Sequence, residues 1–156
     1  MTKNLQKVAI HFAGDSGDGI QLLGQQFSNT TALAGNDLST FPDFPAEIRA
    51  PQGTVAGVSG FQINFGSVEI NTPGSRPDVL VALNAAAFKK NIHNLKEGGT
   101  LILDTQGFDK RNLRLAHYPE DETWRESIRG DLQVIEIDIT KLNRDALADL
   151  QMGNKD

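Results

Sequence analysis

Apolar positions recur along the chain with two different periods, and the change from one to the other marks out the elements. Lys7-Val8-Ala9-Ile10-His11-Phe12-Ala13 mixes β-branched and aromatic residues just before Gly14-Asp15-Ser16-Gly17-Asp18-Gly19. That pattern predicts a buried strand entering a glycine turn. From Ile20 the spacing becomes helical: Ile20, Leu23, Phe27 and Thr31 recur on one side, and Gly35-Asn36 follows Leu33 and Ala34 as a stop signal. A helix is therefore predicted from Gly19 to Ala34, with Ile20, Leu23 and Phe27 facing the core. Gly24 falls on the same face, where a missing side chain would let the helix lie close to a sheet.

Phe41-Pro42-Asp43-Phe44-Pro45 cannot continue a central strand, because its prolines lack amide donors, and it reads as a stiff loop. The stretch from Thr54 to Phe65 alternates apolar and polar residues, which predicts a half-covered strand with Gly57 and Gly60 suited to bulges. Gly66-Ser67 would then turn the chain into a short hairpin ending at Ile70. After the loop residues Asn71 to Pro77, the run Asp78-Val79-Leu80-Val81-Ala82-Leu83 predicts a central parallel strand buried on both faces. Asn84 suits the cap of a helix carrying Phe88, Ile92 and Leu95 and stopped by Gly98-Gly99. Thr100 to Asp104 and Leu132 to Asp138 read as further strands, separated by a charge-rich, weakly periodic stretch, and a last helix is predicted from Leu142 to Leu150. Alternation of strand and helix predicts an α/β fold, a Rossmann-like three-layer domain with a mixed, mainly parallel sheet.

Composition narrows the chemistry. A chain of 156 residues suits one domain. Its 15 Lys and Arg against 20 Asp and Glu leave a net charge of −5, so it offers no basic field for a nucleic-acid backbone. With no cysteine, disulfides, thiolate zinc sites, iron–sulfur ligation and cysteine nucleophiles are excluded within this chain. Apolar runs are only a few residues long, so no membrane span is expected and the chain reads as soluble and cytoplasmic. It ends in polar residues soon after the last predicted helix, as an excised domain or partial chain would.

The glycine turn is the strongest local signal for chemistry, since glycines admit a ligand to the backbone and a helix N-terminus offers amides to an anion. Gly14, Gly17 and Gly19 read G-x-x-G-x-G, which is neither the dinucleotide fingerprint nor a phosphate loop. Asp15 and Asp18 oppose a phosphate: at about 5 Å and an effective dielectric near 20, each pair of negative charges costs roughly 3 kcal/mol. The turn thus admits a purely structural role, an anion site helped by Arg49, or an interface or cation contact. Pro45-Ala46-Glu47-Ile48-Arg49-Ala50-Pro51 holds Glu47 and Arg49 at i, i+2 in a proline frame; Arg49 can grip an anion bidentately, or close the turn against Glu47, Asp15 or Asp18. His11, His93 and His117 lack metal-ligand spacing and read as ordinary core-edge or surface residues, and neither Ser16 nor Ser59 has a nucleophile's context. No catalytic and no metal-binding residue is assigned. Tyr118 and Trp124 flank an acidic cluster, either a solvated helix start or a docking surface.

Three separated segments together resemble one family: Phe12-Ala13-Gly14-Asp15-Ser16-Gly17-Asp18-Gly19-Ile20, Phe41-Pro42-Asp43-Phe44-Pro45-Ala46-Glu47-Ile48-Arg49-Ala50-Pro51, and Asp78-Val79-Leu80-Val81-Ala82-Leu83-Asn84. The chain resembles, over nearly its whole length, the gamma-type domain of 2-oxoacid:ferredoxin oxidoreductases, and most closely the N-terminal part of the alpha subunit of the 2-oxoglutarate type. The family turn is usually the more glycine-rich G-x-G-G-x-G, and Asp15, Ser16 and Asp18 follow the variant of the 2-oxoglutarate branch. The resemblance implies a complete enzyme that decarboxylates a 2-oxoacid oxidatively on Mg and thiamine diphosphate, forms an acyl-coenzyme A and sends electrons through iron–sulfur clusters to ferredoxin. It implies as partners a thiamine-dependent alpha domain and a beta subunit. This chain would bind no cofactor tightly and be inactive alone, serving subunit packing and the coenzyme A side, with Gly14, Gly17, Gly19 and Arg49 as the implied site. The alternative is a free-standing Rossmann-like module that binds an adenine nucleotide.

Overall fold

The apolar runs become a six-stranded sheet in a computed structural model that describes residues 4–44, 57–118 and 124–147. The strands are β1 (Lys7–Asp15), β2 (Asp37–Asp43), β3 (Val58–Gly66), β4 (Val79–Ala82), β5 (Thr100–Asp104) and β6 (Gln133–Ile137), in the spatial order β2-β3-β1-β4-β5-β6. β1, β4, β5 and β6 run parallel, and β3 is antiparallel to both β1 and β2, so only β3 points the other way. The predicted mixed, mainly parallel sheet is the one observed.

Neighbouring residues of β1 point to opposite faces, and each face has its own core. Phe12, Phe61, Ile63 and Val81 lie with Ile20 and Phe27 of helix α1 (Ile20–Leu33). Ala13, Leu80, Leu101 and Leu103 lie with Ala85, Ala87 and Phe88 of helix α2 (Ala85–Asn91), as do the partly buried Phe108 and Trp124. Helices on both faces make the expected three layers. Helices α3 (Lys110–Leu115) and α4 (Ile139–Leu147) and three short 3-10 turns complete the described residues.

Several local expectations are corrected by tertiary contacts. Phe41, Pro42 and Asp43 are not loop but the end of β2, which is an edge strand, where a proline's missing amide is tolerated. β3 is not half-covered; seven successive residues from Val58 to Asn64 are buried. Its polar face is sealed because Gln62 donates to the carbonyls of Pro73 and Gly74 at 2.8 and 2.5 Å, and Asn64 to that of Thr72 at 2.9 Å. The register runs unbroken through Gly60, so there is no bulge there, and no strand follows Gly66 to complete a hairpin. Leu23 is 40% exposed, because the buried stripe of α1 runs through Ile20, Gly24, Ser28 and Thr31 and leaves it to one side. α2 ends at Asn91 and passes into a 3-10 turn, Ile92–Asn94, well before Gly98-Gly99. α4 begins at Ile139, ahead of the predicted Leu142, which is exposed.

Candidate functional site

The connection after β1 carries the chain to β2 across one face, by way of α1, whereas the connection after β4 carries it to β5 across the other, by way of α2. The carboxyl ends of the adjacent strands β1 and β4 therefore form a topological switch point, the place where open α/β sheets usually hold ligands. Gly14 to Gly19 and Asn84 occupy it. Asn84 spans the crevice: its Nδ2 donates to Asp15 Oδ1 at 2.9 Å, joining residues 69 positions apart, and its Oδ1 accepts the Ala87 amide at 2.8 Å to cap α2. The capping role was legible from the residue type; the link to Asp15 was not.

The three glycines do different work. A Cβ on Gly14 would lie 2.8 Å from Asp18 Oδ2 and 2.9 Å from Ile20 Cδ1, so a larger residue there would have to push the ends of both side chains aside. Gly19 is constrained by its backbone instead, with a left-handed φ of 72° at the N-cap of α1 that favours glycine. Gly17 has nothing within 4 Å of its Cβ position and is free of both constraints. Asp18 Oδ2 accepts the Asp15 amide at 2.7 Å, so one backbone donor of the turn already has an internal anion. Both aspartates are exposed, and water screens the repulsion they would exert on a bound anion. The first turn of α1 contains no acidic residue and receives no side-chain cap, which leaves the positive end of the helix toward the crevice.

Arg49 lies outside the described residues, so the structure brings together Gly14, Gly17 and Gly19 of the predicted site. The described residues on either side of residues 45–56 both lie at the switch-point end of the sheet. Asp43 pairs with Gly60 and, through it, Ala13 lies one strand further; Gly57 O accepts the Ser16 amide at 3.0 Å. Tyr118 and Trp124 are core residues: Tyr118 is buried, and the Trp124 ring lies 4.2 Å from that of Phe108. Residues 119–123, with the acidic cluster, lie outside the described residues.

His11 is the core-edge residue expected, half-buried in β1. It lines a cleft of about 480 Å³ between the β1-β3-β2 part of the sheet, the loop at Pro73 and Gly74, and the end of α2, with Phe41, Asp43, Gln62 and Lys90 among its walls. Burial lowers its pKa from the usual 6.5, against smaller upward pulls from a hydrogen bond with Gln62 and the charge of Asp43, and Lys90 lowers it further. The unfolded chain therefore binds a proton on this ring at a higher pH than the folded protein does. Stability from a neutral His11 is complete above about pH 6.5 and is lost as the pH falls from there toward the lowered value. His11→Gln is expected to show a smaller drop in urea midpoint between neutral and mildly acidic pH than the parent; an identical drop would remove His11 from the acid response.

Among the described residues no group of three or more His, Asp or Glu could hold a metal ion, and no helix is long and apolar enough to cross a membrane. Residues 9–155 match the profile of a family described as pyruvate ferredoxin/flavodoxin oxidoreductase. The chain is 55% identical over 116 residues to the 2-oxoglutarate oxidoreductase subunit KorA of Mycobacterium tuberculosis, a match covering 74% of this chain and 18% of that protein. In structure it resembles the 2-oxoglutarate:ferredoxin oxidoreductase of Magnetococcus marinus, described with 2-oxoglutarate, coenzyme A and succinyl-CoA bound; the TM-score is 0.68, the identity 25%, and the match covers 91% of this chain and 22% of that one. Pyruvate oxidoreductase subunit PORC of Thermotoga maritima shares the fold at a TM-score of 0.62 and 17% identity, over 92% of this chain and 68% of that one. The chain thus spans less than a quarter of the length of the first two relatives.

Proposed function

The chain belongs to the pyruvate ferredoxin/flavodoxin oxidoreductase family, and from that premise we propose that it is the gamma-type domain of an enzyme oxidising 2-oxoglutarate with ferredoxin as acceptor. The observation that carries this reading is the 55% identity to a subunit named for 2-oxoglutarate. In this reading the whole enzyme forms succinyl-CoA and carbon dioxide from 2-oxoglutarate and coenzyme A and passes two electrons to ferredoxin. The thiamine diphosphate, Mg and iron–sulfur clusters belong to other parts of that enzyme, the alpha domain and beta subunit. The chain has no cysteine, and the described residues lack a carboxylate and histidine group suited to a metal, so they do not fit those groups. The working location is the cytoplasm.

The domain's own contribution is an anion-receptive crevice and a packing surface. Uncapped amides of α1 face the switch point, and Asp15 and Asp18 are held in internal hydrogen bonds, which suits the approach of a negatively charged group such as the phosphates of coenzyme A. Arg49 supplies the missing positive charge, and its planar fork is the feature that lysine cannot reproduce. Arg49→Ala and Arg49→Lys in the complete enzyme are expected to raise the apparent KM for coenzyme A or weaken subunit association, with lysine a partial rescue only. The melting curve should stay within about 1 kcal/mol of the parent. Wild-type values of KM, turnover and association in Arg49→Ala would overturn the assignment. Binding of adenine nucleotide by a naturally free-standing chain would instead support an independent nucleotide module.

A further inference from the structure

Helix α1 packs one face on the sheet and turns the other outward, and the outward face is unlike the rest of the surface. No charged residue occurs from Gly19 to Asn36, although 22% of the chain is charged. A solvated helix face ordinarily carries charged side chains. Here Leu22 is 65% exposed and Leu33 90% exposed, with amides between them. Leu22, Gln26, Asn29 and Leu33 stand opposite the buried stripe of Ile20, Gly24, Ser28 and Thr31. Their steps of four, three and four residues are the spacing of a seam between two helices.

The order of residue types along this stripe selects its occupant. Leucine, amide, amide, leucine reads the same in both directions about the point midway between Gln26 and Asn29. A contact between identical surfaces about a twofold axis demands that kind of self-complementarity. We propose that the outward face of α1 is the interface between two copies of this chain, packed antiparallel with the twofold axis at that point. Leu22 of each copy then meets Leu33 of the other, and Gln26 meets Asn29, whose carboxamides exchange hydrogen bonds. Beside the seam, Leu23 falls next to Thr30 and Gln25 next to Ala32, all exposed and uncharged. Electrostatics points to the same face. A net charge of −5 sets two copies against each other over most of their surface, and a charge-free helix is where that repulsion is least. The acids that flank the helix, Asp18 and Asp37, each accept a backbone amide at 2.7 Å. With 14 residues the helix is about 21 Å long, so the contact is a small one and the dimer reversible.

Sedimentation equilibrium of the intact protein tests this by reading the number of copies per particle. Pairing is expected with a Kd at or below about 100 µM. Leu22→Asp and Leu33→Lys each put a charge into the seam and should weaken association at least about tenfold. Both positions are exposed, and an acid at the start and a base at the end of a helix suit its dipole, so the far-ultraviolet circular dichroism should not change. The double variant tests the register. Because residue 22 of one copy lies against residue 33 of the other, Leu22→Asp combined with Leu33→Lys should associate more tightly than either single variant, whereas independent losses would multiply. A monomer at about 100 µM, association undiminished by the single variants, or a multiplied loss in the double variant would each overturn the proposal. Release of a different subunit by the single variants, with the copy number of this chain unchanged, would overturn it too and assign the face to that subunit.

Discussion

Phe88→Ala is expected to cost about 3–5 kcal/mol, the range for deleting a large aromatic from a core that cannot collapse around the gap. Phe88 has no exposed surface and packs edge-on to the rings of Phe108 and Trp124, at centroid distances of 5.9 and 5.6 Å. It also fills the space between α2 and the sheet residues Leu80, Leu101 and Leu103. Because a domain of this kind has only about 5–15 kcal/mol in hand, one such loss removes a large share of it. A urea titration followed by the fluorescence of Trp124, the single tryptophan, reads both the stability and the local repacking. A loss below about 1 kcal/mol would mean that the core is not organised around this ring.

The second large effect is expected at Gly24. A Cβ at this position would sit 2.2 to 2.6 Å from the Cγ, Cδ1 and Cδ2 atoms of Phe61, which is itself buried in β3. Gly24→Ala gains about 1 kcal/mol of helix propensity, yet the ring or the helix must move, and overpacking typically costs about 1–3 kcal/mol. Gly24→Val adds two further methyl groups and loses most of the propensity gain, so its net cost should reach about 3 kcal/mol. Gly17→Ala is the control: nothing lies within 4 Å of its Cβ position, and its stability should change by less than about 0.5 kcal/mol. Denaturant midpoints that rank Gly17→Ala at or below Gly24→Val would show that helix α1 does not approach the sheet as described.

These two predictions also separate what was legible in the residues. Gly24 was readable as a packing glycine, because a residue without a side chain on an otherwise apolar helical face marks where the helix backbone comes close to its neighbour. Asn84 was readable as a cap on similarly local grounds, since a short polar side chain ahead of a helical run satisfies a free amide. Strand β4, being buried on both sides, carried an uninterrupted apolar run that needed no knowledge of its neighbours. The family, too, was recognisable from three short segments, each written almost entirely in local turn and strand chemistry.

What the linear pattern could not carry were the properties that depend on what lies across a gap. Gln62 and Asn64 made β3 look solvent-facing, yet both are buried, because carbonyls of a loop eight to twelve residues away accept their donors. Pro42 looked like a strand breaker, and only the place of β2 at the sheet edge makes it admissible. Asp15 was readable as a charge near the turn, but its tie to Asn84 exists only because β1 and β4 are neighbours. His11 gave no signal of its lowered pKa in the sequence, since that follows from burial against Gly60 and from Gln62, Asp43 and Lys90, which three other elements bring to it. Local periodicity and turn chemistry thus determined most of the elements, because these rest on interactions within a few residues, and the family came from the resemblance of three short segments. Burial of polar groups, strand order and the chemistry of both clefts were decided by the tertiary structure, because hydrogen bonds and charges act through space and not along the chain.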